Sequence, residues 1–183
     1  MAGLRVTISP QFSVTTELLH LSFCLADVRA ASVSRKAGSS IVTLPESSWS
    51  GSLSRSQQLW LHRVVTEELR LFARSYLPKR LYELAASVGI DVSGVTIKNL
   101  SSRWGSCSTR RHINLSLWLM LAPPRLIDYV MYHELTHVSE MNHGPRFWAL
   151  LDTYTEGCAR QLDREMKQFG KSLLNGDFLR EEK

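Results

Sequence analysis

Two histidines four residues apart bracket a glutamate at His133-Glu134-Leu135-Thr136-His137. On a helix, side chains four apart share a face, with Cβ atoms about 5–6 Å apart. Two imidazoles at that separation can reach one metal ion, each nitrogen roughly 2.0–2.1 Å from it for zinc. Glu134 stands beside the first imidazole, where its carboxylate can hold a water at the metal and take its proton. That is the layout of a metal-dependent hydrolase. His143 is the expected third ligand, just ahead of Gly144-Pro145. Three protein ligands and one exchangeable position make a catalytic site, whereas a structural site is closed. An all-imidazole set in tetrahedral geometry favours Zn2+.

The elements around these residues must aim them. Pro123-Pro124 suits a helix start, because proline is tolerated in the first turn. Ile127, Met131, Leu135 and Val138 form one apolar stripe at helical spacing. Leu126, Val130, His133 and His137 form the neighbouring stripe, so the histidines border the buried face. Gly144-Pro145 is the expected end of this helix. Upstream, Val95–Leu100 reads as a strand, Arg110-Arg111 as a turn, and His112–Leu119 as a second strand with alternating Ile113, Leu115, Leu117 and Leu119. Between them, Trp104-Gly105-Ser106-Cys107 reads as a buried turn. Gly105 there permits an unusual backbone conformation and Cys107 packs as a small hydrophobe; the alternative is that this segment lines the site, with Cys107 as an additional thiolate ligand.

Further out, a helix is predicted from Ser54 to Tyr76, broken at Leu77-Pro78. A second runs from Pro78 to about Val88, stopped by Gly89. Residues 1–50 form a short β-rich segment with strands at Arg5–Ile8, His20–Leu25 and Ile41–Leu44, and a loop at Ala31–Ser40. After Pro145 comes a short helix carrying Phe147, Trp148, Leu150 and Leu151. A last helix covers Glu156–Phe169, ended by Gly170, and residues 171–183 form a loose tail. The residues thus predict an α+β fold: a small, mainly antiparallel sheet and several helices, one bearing the metal motif.

Composition narrows the class. With 44% hydrophobic and 21% charged residues, the 183-residue chain can bury a core, and one main domain is expected, over residues 51–170. Three scattered cysteines, Cys24, Cys107 and Cys158, make no disulfide framework. No signal peptide or membrane-length apolar run is evident, so the expected location is the cytoplasm, with no membrane partner. The net charge of +5 permits nucleic-acid binding, but no motif indicates it.

Several motifs occur together in fixed order. These are Arg103-Trp104-Gly105-Ser106-Cys107-Ser108, Ile113-Asn114-Leu115, Ala122-Pro123-Pro124, Ile127-Asp128-Tyr129-Val130 with the metal motif, Met141-Asn142-His143, and Phe147-Trp148. Together they closely resemble the YgjP-like metallopeptidase domain, over roughly Trp60 to Gly170 and most strongly from Arg103 to Trp148. That family resembles the wider zincin peptidases, including the SprT-like and Wss-like proteases that attack DNA–protein crosslinks. The resemblance implies zinc ligands at His133, His137 and His143, a catalytic Glu134, and a small sheet packed against helices. It also implies a peptide or protein substrate. Residues 1–50 match only loosely, their strands looking shortened or altered.

Other residues are candidates for supporting roles. Tyr132, Arg146 and Arg103 could stabilise a developing oxyanion. Asp128, Glu140 and Asp152 could orient the ligand imidazoles. The edge of the Ile113–Leu119 strand could pair with an extended peptide. His20, His62 and His112 have no motif around them. The main reading is a zinc-dependent metallopeptidase that cleaves peptide bonds with a zinc-activated water and Glu134 as general base. Its rivals are a metal-dependent nucleotide phosphoanhydride hydrolase and a catalytically silent zinc-containing binding module.

Overall fold

A buried stripe on one long helix organises the chain. Leu61, Val65, Leu69, Ala73, Leu77 and Leu81 step by four along helix α1 (Arg55–Ser87), and each is at most 2% exposed. A step of four overshoots the helical repeat by about 40°, so the stripe winds around the helix. Its two ends therefore need cover from different directions. The computed structural model describes residues 7–9, 11–36, 38–49, 53–100 and 102–175. In it, N-terminal strands meet the first part of α1, and a second sheet and the metal-motif helix meet the later part. Ser54 starts α1 with a capping box: its hydroxyl accepts from the Gln57 backbone at 3.3 Å, and the Gln57 side chain accepts from the Ser54 backbone at 2.9 Å.

The expected break at Leu77-Pro78 does not occur, and α1 runs through Pro78. An interior proline costs about 3 kcal/mol. Burying Leu77 and Leu81 offsets this, at roughly 1.5–3 kcal/mol each. Arg80 adds a paired bond to Asp128, at 2.9 and 2.6 Å. The core thus outweighs the local preference.

The first sheet runs β1 (Ser13–Thr15), β2 (His20–Ala26), β4 (Ser39–Pro45), β3 (Ser32–Lys36), with β2 and β4 parallel and the outer pairs antiparallel. Leu21, Phe23, Val42 and Leu44 alternate inward and join the same buried cluster as α1. β3 lies where small polar residues predict a loop. It is held by pairing to β4 and by Arg35, whose Nε donates to Glu68 on α1 at 2.9 Å. Of the expected strand Arg5–Ile8, residues 5 and 6 lie outside the described residues, and Thr7 and Ile8 are not strand. Ile8 instead exchanges backbone bonds with the Gln58 side chain at 3.0 and 2.8 Å.

The second sheet runs β5 (Gly94–Lys98), β7 (His112–Ser116), β6 (Gly105–Cys107), with β5 and β7 parallel and β6 antiparallel to β7. β6 replaces part of the expected turn. β7 ends at Ser116 rather than Leu119: the Ser116 hydroxyl accepts from Trp118 N at 3.4 Å, and Leu117–Leu121 form a buried 3-10 turn. The fold is α+β as expected. Its strands fall into two sheets, and antiparallel pairs outnumber parallel ones three to two.

Helix α2 (Pro124–Thr136) carries the metal motif and packs on α1, β6, α3 (Pro145–Tyr154) and α4 (Ala159–Asn175). It is the central helix. α4 starts later than expected, where Asp152 Oδ1 accepts from Ala159 N at 3.0 Å, and it continues through Gly170. Residues 171–175 of the expected tail are helical, and 176–183 lie outside the described residues. Among the described residues, no helix is long and apolar enough to cross a membrane.

The bond between the first sheet and α1 is asymmetric. The Glu68 side chain is 3% exposed and the Arg35 side chain 52%, and Ser40 Oγ also donates to Glu68 at 2.8 Å. Arg35→Ala strands a buried carboxylate and is expected to cost about 2–3 kcal/mol in urea unfolding, discounted for the solvent screening of the arginine. Glu68→Met, which leaves only a solvated guanidinium, should cost distinctly less. Equal losses would show that the buried charge is not what Arg35 serves.

Candidate metal centre

The three histidines converge because the metal helix stops early. The spacing predicts a helix reaching Gly144, but α2 ends at Thr136 with His137 as its C-cap. The chain then tightens: Ser139 N and Glu140 N both donate to Thr136 O, at 3.1 and 2.9 Å. Had the helix continued, His143 would lie about 9 Å farther along the axis than His137. Instead the turn brings it back. The ring centroids of His133, His137 and His143 form a triangle with sides of 4.6 to 5.0 Å. One nitrogen from each lies within 4.8 Å of the other two. The Nε2 atoms of His133 and His143 are 3.0 Å apart, close to the roughly 3.3 Å that tetrahedral zinc geometry sets between two ligand nitrogens.

Two features hold the triangle in place. The Phe147 ring, fully buried, lies 4.5 to 4.9 Å from all three imidazoles and floors them. His137 Nδ1 faces the Glu140 carbonyl oxygen at 3.1 Å. An Nδ1–H donated there leaves the Nε2 electron pair free, the tautomer a metal ligand would need. The donor set therefore fits a divalent metal.

Glu134 stands beside the triangle at 5% exposure, and its Oε2 has no hydrogen-bond partner among the described residues. Burial pushes its carboxyl up to about 8, with the nearby Arg103 charge acting the other way. Burial pushes His133 down to about 3, helped by the charges of His137 and His143, and burial also lowers His137. Neutral imidazoles are what a metal needs. A divalent cation here would reverse the pressure on the carboxylate, because its own charge would become the largest local term.

Gly105 on β6 sets where Glu134 can be. A Cβ at Gly105 would lie 2.7 Å from Glu134 Oε1 and 2.8 Å from its Cγ. Gly105 is expected to adopt an unusual backbone conformation, but its φ is not positive. Room for the carboxylate is the reason for this glycine.

A cleft of about 230 Å³ opens beside His133 and Glu134. Trp104 and Arg103 bound it on the β6 side, and Asp163, Met166 and Lys167 of α4 on the other. Tyr129 OH donates to Asp163 Oδ1 at 3.3 Å, and Lys167 Nζ donates to Asp163 Oδ2 at 2.7 Å. Burial and then Asp163 push the Tyr129 phenol upward, keeping it a donor.

Of the residues read as possible oxyanion donors, only Arg103 lines this cleft. Tyr132 packs against Tyr154, with ring centroids 5.8 Å apart, and Arg146 is exposed on the first turn of α3. The proposed orienting carboxylates do other work. Asp128 is held by Arg80, Asp152 caps α4, and Glu140 acts through its main-chain carbonyl. Cys107 keeps its proton, since burial and then the Glu134 charge raise its thiol. His20 and His112 bond to Thr15 and Thr96, at 2.9 and 2.8 Å. The strand Ile113–Leu119 offers no free edge, because β7 is paired on both sides, and the outer strands of this sheet are β5 and β6, of which β6 borders the cleft. Asp163 and Lys167 carry no signal in the sequence, and Phe147 is legible there only as an apolar residue of the short helix and its motif, not as the floor of the imidazoles. Asp163, Met166 and Lys167 share one helical face, but nothing local says which helix that face meets.

Residues 22–169 match the YgjP-like metallopeptidase domain family. Strands β3 and β4 of the first sheet fall within the match, and β2 does from Ser22 onward. The metallopeptidase zymogen jannalysin of Methanocaldococcus jannaschii is 23% identical over 50% of this chain and 94% of its own, with a TM-score of 0.44. The metallopeptidase zymogen abylysin of Pyrococcus abyssi is 21% identical over 50% of this chain and 93% of its own, with a TM-score of 0.45. No curated protein matches the chain.

Gly105→Ala isolates the role of the close approach. The new methyl must displace the Glu134 carboxylate while leaving the three imidazoles untouched. Bound metal measured by plasma emission should stay near wild type, while hydrolysis of a peptide mixture falls at least ~100-fold, the scale of losing a general base. Undiminished hydrolysis would mean that Glu134 does not need this position.

Proposed function

The chain belongs to the YgjP-like metallopeptidase family, and on that premise we propose a zinc peptidase in which His133, His137 and His143 hold the ion and Glu134 is the general base. The observation that carries this reading is the convergence of three imidazoles beside a buried carboxylate with an unpartnered oxygen. Zinc over another divalent ion rests on the all-nitrogen donor set.

When bound, zinc would polarise the scissile carbonyl and lower the pKa of a coordinated water toward ~7. Glu134 Oε2 accepts a proton from the attacking water and passes it to the leaving amine nitrogen. The His137 bond to Glu140 and the Phe147 floor keep the imidazole triangle from relaxing during turnover. An extended peptide would pair with the open edge of β6, whose Gly105 leaves Glu134 within reach. Main-chain pairing places the scissile bond, and alternate side chains enter or leave the adjoining cleft.

Glu134→Gln preserves shape but cannot take the proton. It should keep zinc stoichiometry and lose peptide hydrolysis by about 10²–10⁴-fold, measured on unstructured peptides. Near-wild-type turnover would overturn the assignment. His143→Ala should sharply weaken zinc affinity in chelator competition, and unchanged affinity would remove His143 from the ligand set.

Metal removal carries a pH signature. Glu134 rises from 4.5 to about 8 on folding without metal, so the unfolded chain loses that proton first. Metal-free stability from this group therefore falls as pH rises from about 4.5 to 8. His133 falls from 6.5 to about 3, so its contribution is lost as pH drops below about 6.5. A bound cation stabilises ionised Glu134 and neutral imidazole together. The melting-temperature gap between zinc-loaded and chelator-treated protein should widen from pH 6 to pH 8. A constant or narrowing gap would contradict this account.

A further inference from the structure

Of the ionisable side chains that line the cleft beside Glu134, all but one are already engaged. Tyr129 OH donates to Asp163. Lys167 is paired with the same carboxylate at 2.7 Å. His133 belongs to the imidazole triangle, and Glu134 is the proposed base. The remaining group is Arg103, which lines the cleft and is near enough for its charge to act on Glu134. Among the described residues it makes no ion pair. It is also exposed, so it serves no buried contact. Its anchorage is firm all the same. The next residue, Trp104, packs on Phe169 of α4 with ring centroids 5.8 Å apart, and Gly105 follows against Glu134.

An arginine anchored through its backbone neighbours, without an ion pair and lining the cleft beside Glu134 is suited to meet an anion that forms there. We infer that Arg103 is the catalytic residue that binds the scissile carbonyl oxygen as negative charge develops on it. The inference rests on the peptidase reading above and names a group that reading leaves open. As the water oxygen bonds to the carbonyl carbon, the carbonyl π pair moves onto the oxygen, and Arg103 N–H groups donate to it. The water's proton passes through Glu134 to the amine nitrogen. The pair on oxygen re-forms the carbonyl as the C–N bond breaks. Arg103 stays protonated throughout and exchanges no proton. The interaction strengthens as charge builds, so it lowers the barrier more than it tightens substrate binding.

The test uses the zinc-loaded full chain with Arg103→Gln, Arg103→Lys and Arg103→Ala, and Arg146→Gln as a matched control outside the cleft. Two readouts are taken: kcat and KM on an unstructured peptide mixture, and calorimetric binding of a phosphinic peptide, whose tetrahedral anion mimics the charged oxygen. Arg103→Gln should lower kcat by about 10²–10³-fold with KM little changed, the loss typical of one oxyanion donor. Phosphinic-peptide affinity should weaken by a comparable factor. Zinc content and melting temperature should equal wild type. Arg103→Lys should fall between, and added guanidinium should restore part of the Arg103→Ala rate, which a merely structural role would not permit. Unchanged kcat, a loss confined to KM, unchanged phosphinic-peptide affinity or a loss of zinc in Arg103→Gln would each overturn the inference while leaving the peptidase reading intact. A wild type that neither cleaves peptide nor binds the phosphinic peptide would remove both.

Discussion

A carboxylate held out of water beside three imidazoles is the constraint on which this structure turns. Glu134 is 5% exposed, and one of its oxygens has no partner among the described residues. Burying an unpaired carboxylate is costly, and burial answers by raising its pKa until the proton stays on. A nearby cation removes that cost. On the proposed reading, Glu134 and the three imidazoles therefore depend on one another. Neutral imidazoles would accept a cation, and the cation would make the buried carboxylate an acceptable anion. Stability and reactivity draw on the same arrangement.

Much of the fold serves to keep that arrangement. α2 is wedged among α1, β6, α3 and α4, so its turns cannot shift to relax the buried charge. β6 contributes a position without a side chain where Glu134 needs room. α3 begins right after His143 and sends Phe147 under all three rings. α4 closes the far side with a carboxylate that ties down both Tyr129 and Lys167. The winding stripe on α1 brings the first sheet and α2 onto one continuous core. Stiffness at the site therefore depends on residues well away from it.

How legible all this is in the sequence depends on distance along the chain. The pairing of His133 with His137 follows from helical spacing alone, and the proline start of α2 follows from local chemistry. Both are visible in the structure. His143 is nameable from its neighbourhood, but the turn at Thr136 that brings it home is not, because no glycine or proline marks it. Gly105 reads as a conformational glycine, since a sequence cannot reveal which side chain crowds it. Pro78 reads as a helix break because local rules cannot weigh the burial of Leu77 and Leu81. The polar stretch around Arg35 reads as a loop, since its strand exists through pairing with β4 and a bond to Glu68. Asp163 and Lys167 are invisible for the same reason: helical spacing gives a face but not its partner.

The central claim is that the three imidazoles share one ion and that Glu134 stands beside it without binding it. Anomalous diffraction from crystals of the zinc-loaded protein, collected on both sides of the zinc absorption edge, tests this directly. The account predicts one strong site, about 2.0–2.1 Å from the Nε2 atoms of His133, His137 and His143, with both Glu134 oxygens outside bonding distance. An ion bound through Glu134 with His143 turned away, or one seated elsewhere on the chain, would contradict it.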